Sequence, residues 1–296
     1  MIGMNESDWD DLKYYVRRKK ITAFIGPELS SHYIGSQKSD QWFPLLKELA
    51  DEWAEKYPLE KPSHLSRMAQ YIAIVGNNEL RPKTILASRI ESISLPDFSM
   101  EKYRKTPYAI LADLNLPVYI TTNYDHLMEK ALEDKGKKPV NDFCRWNKFD
   151  SAQPIASSVD SRNPPTEYKP LVFHLHGDIR EPNSMVLTEN DYIDFIISLS
   201  KNEELLPSII IQRLAMTLLL FIGYSLEDIN FRVILKSFNL LDNKGIAILL
   251  PRSDSKYQKY QDQYLKKMLK IRVHWQEANK FSEVLRKRWD HFKSNR

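Results

Sequence analysis

A single cysteine, Cys144, stands among the 296 residues. One thiol cannot close an internal disulfide, so an oxidising compartment is not indicated. Nor can it furnish a four-cysteine zinc site. Long apolar runs are also missing. The longest, from Leu214 to Ile222, is nine residues and includes Thr217, against the roughly 20 that a membrane-crossing helix needs. The opening Met1-Ile2-Gly3-Met4-Asn5-Glu6-Ser7-Asp8 has no basic stretch ahead of an apolar one, so no secretion signal is read there. No repeat, heptad or low-complexity tract occurs. Charge of one sign is not in excess: the net charge is +4, too mild to argue for nucleic acid. Basic residues are spread along the chain, apart from the run Arg286, Lys287 and Arg288. These absences imply a soluble, cytoplasmic protein that meets neither membrane nor nucleic acid directly.

What is present suits a packed core, with 42% hydrophobic and 28% charged residues. Trp9, Leu12, Tyr15 and Val16 recur at helical spacing and predict a helix over 8–19. Five short apolar runs then read as buried strands: 21–25, 117–122, 171–175, 218–222 and 245–250, with a sixth, shorter one at 271–275. Between them lie helical patterns, including 42–57, much of 63–115, a helix opened by Asn123-Tyr124-Asp125 and running to about 132, and others at 226–241, 255–269 and 278–293. Thr188 or Asn190 reads as the cap of one more helix. Residues 134–170, polar and interrupted by proline and glycine, read as loop-rich, with no strand picked out among them. Strands alternating with helices, each strand nearly continuously apolar, mean a doubly wound, mostly parallel α/β sheet. We read one domain over 1–296, with a helical insertion at 42–112 and a loop-rich one at 134–170.

In such a sheet ligands bind at the carboxyl ends of the strands, near the point where strand order reverses. Four polar or glycine-bearing turns fall at predicted strand ends: Gly26-Pro27-Glu28-Leu29-Ser30, Thr122-Asn123-Tyr124-Asp125, His176-Gly177-Asp178 and Gly223-Tyr224-Ser225. Each alone has a plain reading. Gly26 is turn geometry, Asn123 a helix cap, and Gly223 with Ser225 the close of a strand. His174 shares strand parity with His176, so the two rings are expected on one side. Only His176 lies at the strand end beside a glycine. The fold would bring all four turns to one rim, and their order carries more than any member.

That set resembles the sirtuins. Phe24 to Ser30 looks like their glycine-rich NAD loop, Gly-Ala-Gly-x-Ser. Thr121 to Asp125 resembles Thr-Gln-Asn-x-Asp, with Thr122 in the glutamine place. His176-Gly177 resembles the His-Gly pair that supplies the general base, and Gly223-Tyr224-Ser225 the Gly-Thr-Ser turn that holds the cofactor. The segments 118–127 and 220–228 look particularly like the divergent sirtuin-like domains of bacterial antiviral defence. The resemblance spans about residues 20 to 290. It implies a Rossmann-like sirtuin fold and NAD+ as substrate. It implies Asn123 and His176 as catalytic, with Gly26, Pro27, Glu28, Leu29, Ser30, Thr122, Asp125, Gly223, Tyr224 and Ser225 binding the dinucleotide.

Two departures shape the expected activity. Deacetylating sirtuins carry a four-cysteine zinc ribbon, and only Cys144 exists here. The resemblance therefore implies an NAD+ glycohydrolase without a metal, the effector of an anti-phage, abortive-infection system, rather than a deacylase. Glu28 stands where the family has its second glycine. At about 5 Å and an effective dielectric near 20, a like-charge contact with a phosphate costs about 3 kcal/mol before screening. Glu28 must point away, pair with a cation or weaken binding. That fits an enzyme silent until a partner reshapes the loop, or a non-catalytic module that binds NAD or ADP-ribose and regulates a partner. Members of this type often form homo-oligomers or work beside a separately encoded sensor, such as an ATPase, a short Argonaute or a nucleotide-processing enzyme. We expect such a partner here.

Overall fold

The structure is a computed structural model. It describes residues 4–30, 33, 35–38, 41–56, 64–147, 163–201, 205–224, 226, 232–235 and 244–294. The helix α1 (Glu6–Arg17) opens it, with the Asn5 side chain accepting from the Asp8 N–H at 2.9 Å and acidic Glu6 and Asp8 in the first turn, where the helix dipole favours them. The strands of the main sheet are β1 (Ile21–Ile25), β4 (Val118–Thr121), β5 (Val140–Phe143), β6 (Leu171–His174), β7 (Leu218–Ile222), β8 (Gly245–Leu249) and β9 (Ile271–Trp275). A separate antiparallel pair, β2 (Gly35–Lys38) and β3 (Gln41–Pro44), lies between β1 and β4 in sequence.

The seven strands are all parallel, in the order β5-β6-β4-β1-β7-β8-β9. Without its edge strand β5, this is the dinucleotide-binding order of doubly wound folds, with the reversal between β1 and β7. Alternate residues of the central strands enter opposite cores. Ala23, Ile25, Leu220 and Ile222 face the core built on α1, α6 (Pro107–Asp113), α7 (Leu127–Glu133) and α11 (Ala278–Ser294). Phe24, Leu219 and Phe221 face the other, built on α8 (Glu189–Lys201), α9 (Ser208–Met216) and α10 (Ser255–Leu269). Both faces being covered explains why the strands read as unbroken apolar runs. Among the described residues no helix is long and apolar enough to cross a membrane.

Three expectations are corrected. The predicted helix 42–57 begins only at Leu45, as α3 (Leu45–Lys56), because 41–44 pair with 35–38. Pro44 holds the residue before it in extended backbone and suits the turn into a helix. Within the loop-rich region 134–170, Val140–Phe143 is a parallel edge strand, β5, that the sequence reading did not pick out, in register with Leu171–His174. The helix after the Asn123 turn starts at Leu127, so Asn123 is not its cap. The described residues of the insertion otherwise carry the helices α3, α4 (Leu65–Val75), α5 (Leu80–Glu91) and α6, joined by turns. Of the helix read at 226–241, residues 232–235 are helical, and most of the rest lies outside the described residues. Thr188 is the cap of α8: its Oγ1 accepts from the Asp191 N–H at 3.1 Å, and Asp191 Oδ2 accepts from the Thr188 N–H at 2.7 Å.

Candidate functional site

The turns after β1 and β7 close on each other. The Gly26 N–H donates to the Ile222 carbonyl at 3.0 Å, and the Glu28 N–H to the Gly223 carbonyl at 3.1 Å. A Cβ on Gly26 would lie 2.2 Å from the Gly223 carbonyl oxygen. Gly223 has φ +66, and a Cβ there would sit 2.7 Å from the Leu29 nitrogen. Both positions therefore demand glycine. The first turn continues into α2 (Pro27–Ser30), a single helical turn. Pro27 is exposed and Glu28 half-buried, whereas Leu29 and Ser30 are buried. Leu29 belongs to the hydrophobic core and Tyr224 packs on Phe24 with ring centroids 4.9 Å apart. The side chains of Leu29 and Tyr224 thus serve the core, and at those positions the backbone is what the rim presents. Ser225 lies outside the described residues, as do 31–32 and 227–231.

The turn after β4 joins the same point. The Thr122 N–H donates to the Ile25 carbonyl at 3.1 Å, and Thr121 Oγ1 accepts from the Asn123 N–H at 3.0 Å. Four buried side chains then form one polar cluster. Ser30 Oγ donates to Asp125 Oδ2 at 2.7 Å and accepts from Asn123 Nδ2 at 2.6 Å. It also lies 2.8 Å from the Tyr108 hydroxyl, which accepts from Asn123 Nδ2 at 3.2 Å. Asp125 Oδ1 accepts from the Leu127 N–H at 3.0 Å, so Asp125 rather than Asn123 braces the helix start. Burial raises the Asp125 pKa above the ordinary carboxylate value, and it raises that of Tyr108 further above its own. Asn123 Oδ1 and Thr122 Oγ1 are buried and make no hydrogen bond among the described residues. Two unmet polar atoms at a strand switch point are what a polar ligand would satisfy.

The two histidines of the third turn part company. His174, the last residue of β6, faces α7. Its Nδ1 lies 2.8 Å from the Asn123 carbonyl and its Nε2 2.7 Å from Glu129 Oε1. Burial disfavours its charge, but the adjoining carboxylate outweighs burial and lifts its pKa to about 9. The imidazolium in turn lowers the Glu129 pKa against the pull of burial. His176 turns to the opposite side of the sheet. Its ring meets Phe195 and Tyr192 of α8 edge-on, at 5.3 and 5.8 Å, and is only 4% exposed. The expected shared orientation fails because strand pairing stops at His174 and the chain turns through Leu175 and His176 into Gly177, at φ +91. A Cβ on Gly177 would lie 2.2 Å from the Ser184 carbonyl oxygen. Asp178 follows, receiving His126 Nε2 and Arg180 Nη2, each at 3.0 Å. Burial opposes its charge, yet these donors hold its carboxyl far below the usual range.

The structure therefore brings Gly26, Glu28, Ser30, Thr122, Asn123, Asp125 and Gly223 to one rim, and it turns the His176 ring into the α8 side. Sequence reasoning missed Tyr108, His126, Glu129 and the role of His174. His126 caps α7 and Glu129 stands three residues on in its first turn, a spacing of one helical turn that was a readable signal. Nothing marked Tyr108. A cavity of about 580 Å³ lies beside this group, lined by His126, Glu129, Asn141, Arg145, Asp178 and Arg180 among others.

A model of the SIR2-like domain matches residues 117–274, more than half of the chain and three of the four turns. The NAD(+) hydrolase ThsA of Cytobacillus dafuensis is 30% identical over 200 residues, which is 68% of this chain and 35% of that protein. Its counterpart from Bacillus cereus (strain MSX-D12) is 30% identical over 215 residues, 73% of this chain and 38% of that protein. The Defense-associated sirtuin 2 of Bacillus subtilis is 26% identical over 141 residues, 47% of this chain and 12% of that protein. The chain thus aligns with little more than a third of the length of the two hydrolases.

Proposed function

Because the chain belongs to the SIR2-like domain family, we propose that it is an NAD+ glycohydrolase, active in anti-phage defence once a partner engages it. The observation that carries this reading is the polar rim at the β1/β7 reversal, where Asn123 Oδ1 and Thr122 Oγ1 are buried and unmet. The similarity to proteins named NAD(+) hydrolase supports the choice of substrate.

The chemistry asks little of the chain. The nicotinamide–ribose bond is activated, since the leaving group departs neutral from a cationic ring. As it breaks, the anomeric carbon gains oxocarbenium character, as in other glycoside cleavages. One water adds to that carbon, its proton passes to a base, and nicotinamide, ADP-ribose and a proton result. Asn123 holds the ribose and the water through its unmet Oδ1. The backbone of 26–30 and 223 receives the pyrophosphate, and Asp125 keeps Ser30 and the Asn123 turn in place. His176 takes the proton, a role typically worth on the order of 10²–10⁴-fold. In the conformation described, its ring is packed against α8. Reaching a sugar at the rim requires that packing to open, and this is what conditional activity means in physical terms. The activating partner is a second copy of the chain, a separately encoded sensor, or both.

A second reading has an observation of its own. The enclosed His176 ring and the half-buried Glu28 in the phosphate loop also suit a module that binds NAD+ or ADP-ribose without turning it over. Nicotinamide release from NAD+, measured with and without co-expressed neighbouring gene products, separates the two. Release that is lost in Asn123→Ala supports the hydrolase. Calorimetric binding of NAD+ with no release in any combination of partners selects the module.

A further inference from the structure

One cluster lies off the dinucleotide rim and takes no part in the reaction above. His126, Glu129 and His174 each offer a ligand atom, all within 4.8 Å of one another. Glu129 and His174 are buried, and His126 is partly open. We propose that these three side chains form a binding site for one borderline divalent transition metal of the Zn2+ or Co2+ type.

Four observations carry this. The donor set is right: two imidazoles and a carboxylate are the ligands of three-residue zinc sites that keep a fourth position open. Glu129 uses Oε1 toward His174 and Asn141, while its Oε2 is buried without a hydrogen bond among the described residues. A carboxylate oxygen left so is costly, and a cation is what would satisfy it. The outer contacts suit ligation too. His174 Nδ1 lies 2.8 Å from the Asn123 carbonyl, the arrangement that fixes a ring with Nε2 toward a metal. The fourth observation is access. His126 and Glu129 line the 580 Å³ cavity, which supplies an entry path and an open position. The lysine and arginines that share this cavity are already engaged, Lys130 by Asp134, Arg145 by Asp142 at 2.7 Å and Arg180 by Asp178 at 3.0 Å. Without metal, the His174 proton supplies the positive charge beside Glu129. A metal would take over that role and tie α7 to the end of β6, one carbonyl behind Asn123.

The test uses the full chain, stripped with a chelator and titrated with Co2+ alone, following the visible absorption of the ion. One equivalent is expected to bind with the spectrum of a low-coordinate nitrogen and oxygen site and to be displaced by Zn2+. His126→Ala and Glu129→Gln are each expected to weaken binding about tenfold or more, with circular dichroism unchanged. His126 is the partly open member, so His126→Ala carries the test if the buried substitution fails to fold. Absence of saturable uptake by the folded chain overturns the proposal, as does unchanged affinity in the folded variants. Neither result depends on whether the chain hydrolyses NAD+.

Discussion

His174 and His176 stand two residues apart at the end of one strand and meet opposite surroundings. On the α7 side, His174 is enclosed by polar partners that keep it charged: Glu129 on one nitrogen and the Asn123 carbonyl on the other. On the α8 side, His176 is enclosed by aromatic rings. The first environment favours one fixed state. The second sets the rings of Tyr192 and Phe195 edge-on against the imidazole, and such packing can be traded for another contact when a helix shifts. The comparison teaches that burial by itself does not say whether a histidine is structural or poised; the partners do.

This contrast can be broken most sharply at His176. In the activated protein, His176→Ala is expected to cut nicotinamide release by about 10²–10⁴-fold per folded molecule. Release within threefold of wild type removes the histidine from the chemistry. His174→Ala is expected to act on stability instead, by about 3–5 kcal/mol, because it strands the buried Glu129 carboxylate. Chemical denaturation measures it, and a loss below 1 kcal/mol means the pair is not the anchor described. Ser30→Ala removes the hydroxyl that links Asp125, Asn123 and Tyr108. A loss of about 1–3 kcal/mol is expected, and a neutral result says that the cluster is not cooperative. The smallest effect belongs to Phe195→Leu, where removing one edge-on ring from His176 should cost about 1 kcal/mol. If α8 packing restrains the enzyme, the same variant raises partner-free nicotinamide release, and a fall in that signal counts against the restraint.

Much of the fold was legible because the strands are covered on both faces, so Ile21–Ile25, Leu218–Ile222 and Gly245–Leu249 read as apolar runs. The strand at Val140–Phe143 was not, because an edge strand pairs on one side only and carries Asn141 and Asp142 on its way. The start of α3 was misread because Trp42 and Phe43 fit a helical period as well as an extended one, and Pro44 decided for the second. At the site, the turns could be placed on one rim from strand order alone. Their side chains could not. Strand parity put His174 and His176 together, and it ceased to apply one residue past the last paired position. Tyr108 comes from a helix with no motif, and only tertiary packing brings it to Ser30 and Asn123.

Gly26 and Gly223 touch backbone to backbone, with room for no side chain on either. The two turns are joined there by hydrogen bonds from the Gly26 N–H to the Ile222 carbonyl and from the Glu28 N–H to the Gly223 carbonyl. Any side chain larger than hydrogen at either position would have to prise the two turns apart, so the ends of β1 and β7 are matched to each other through backbone alone.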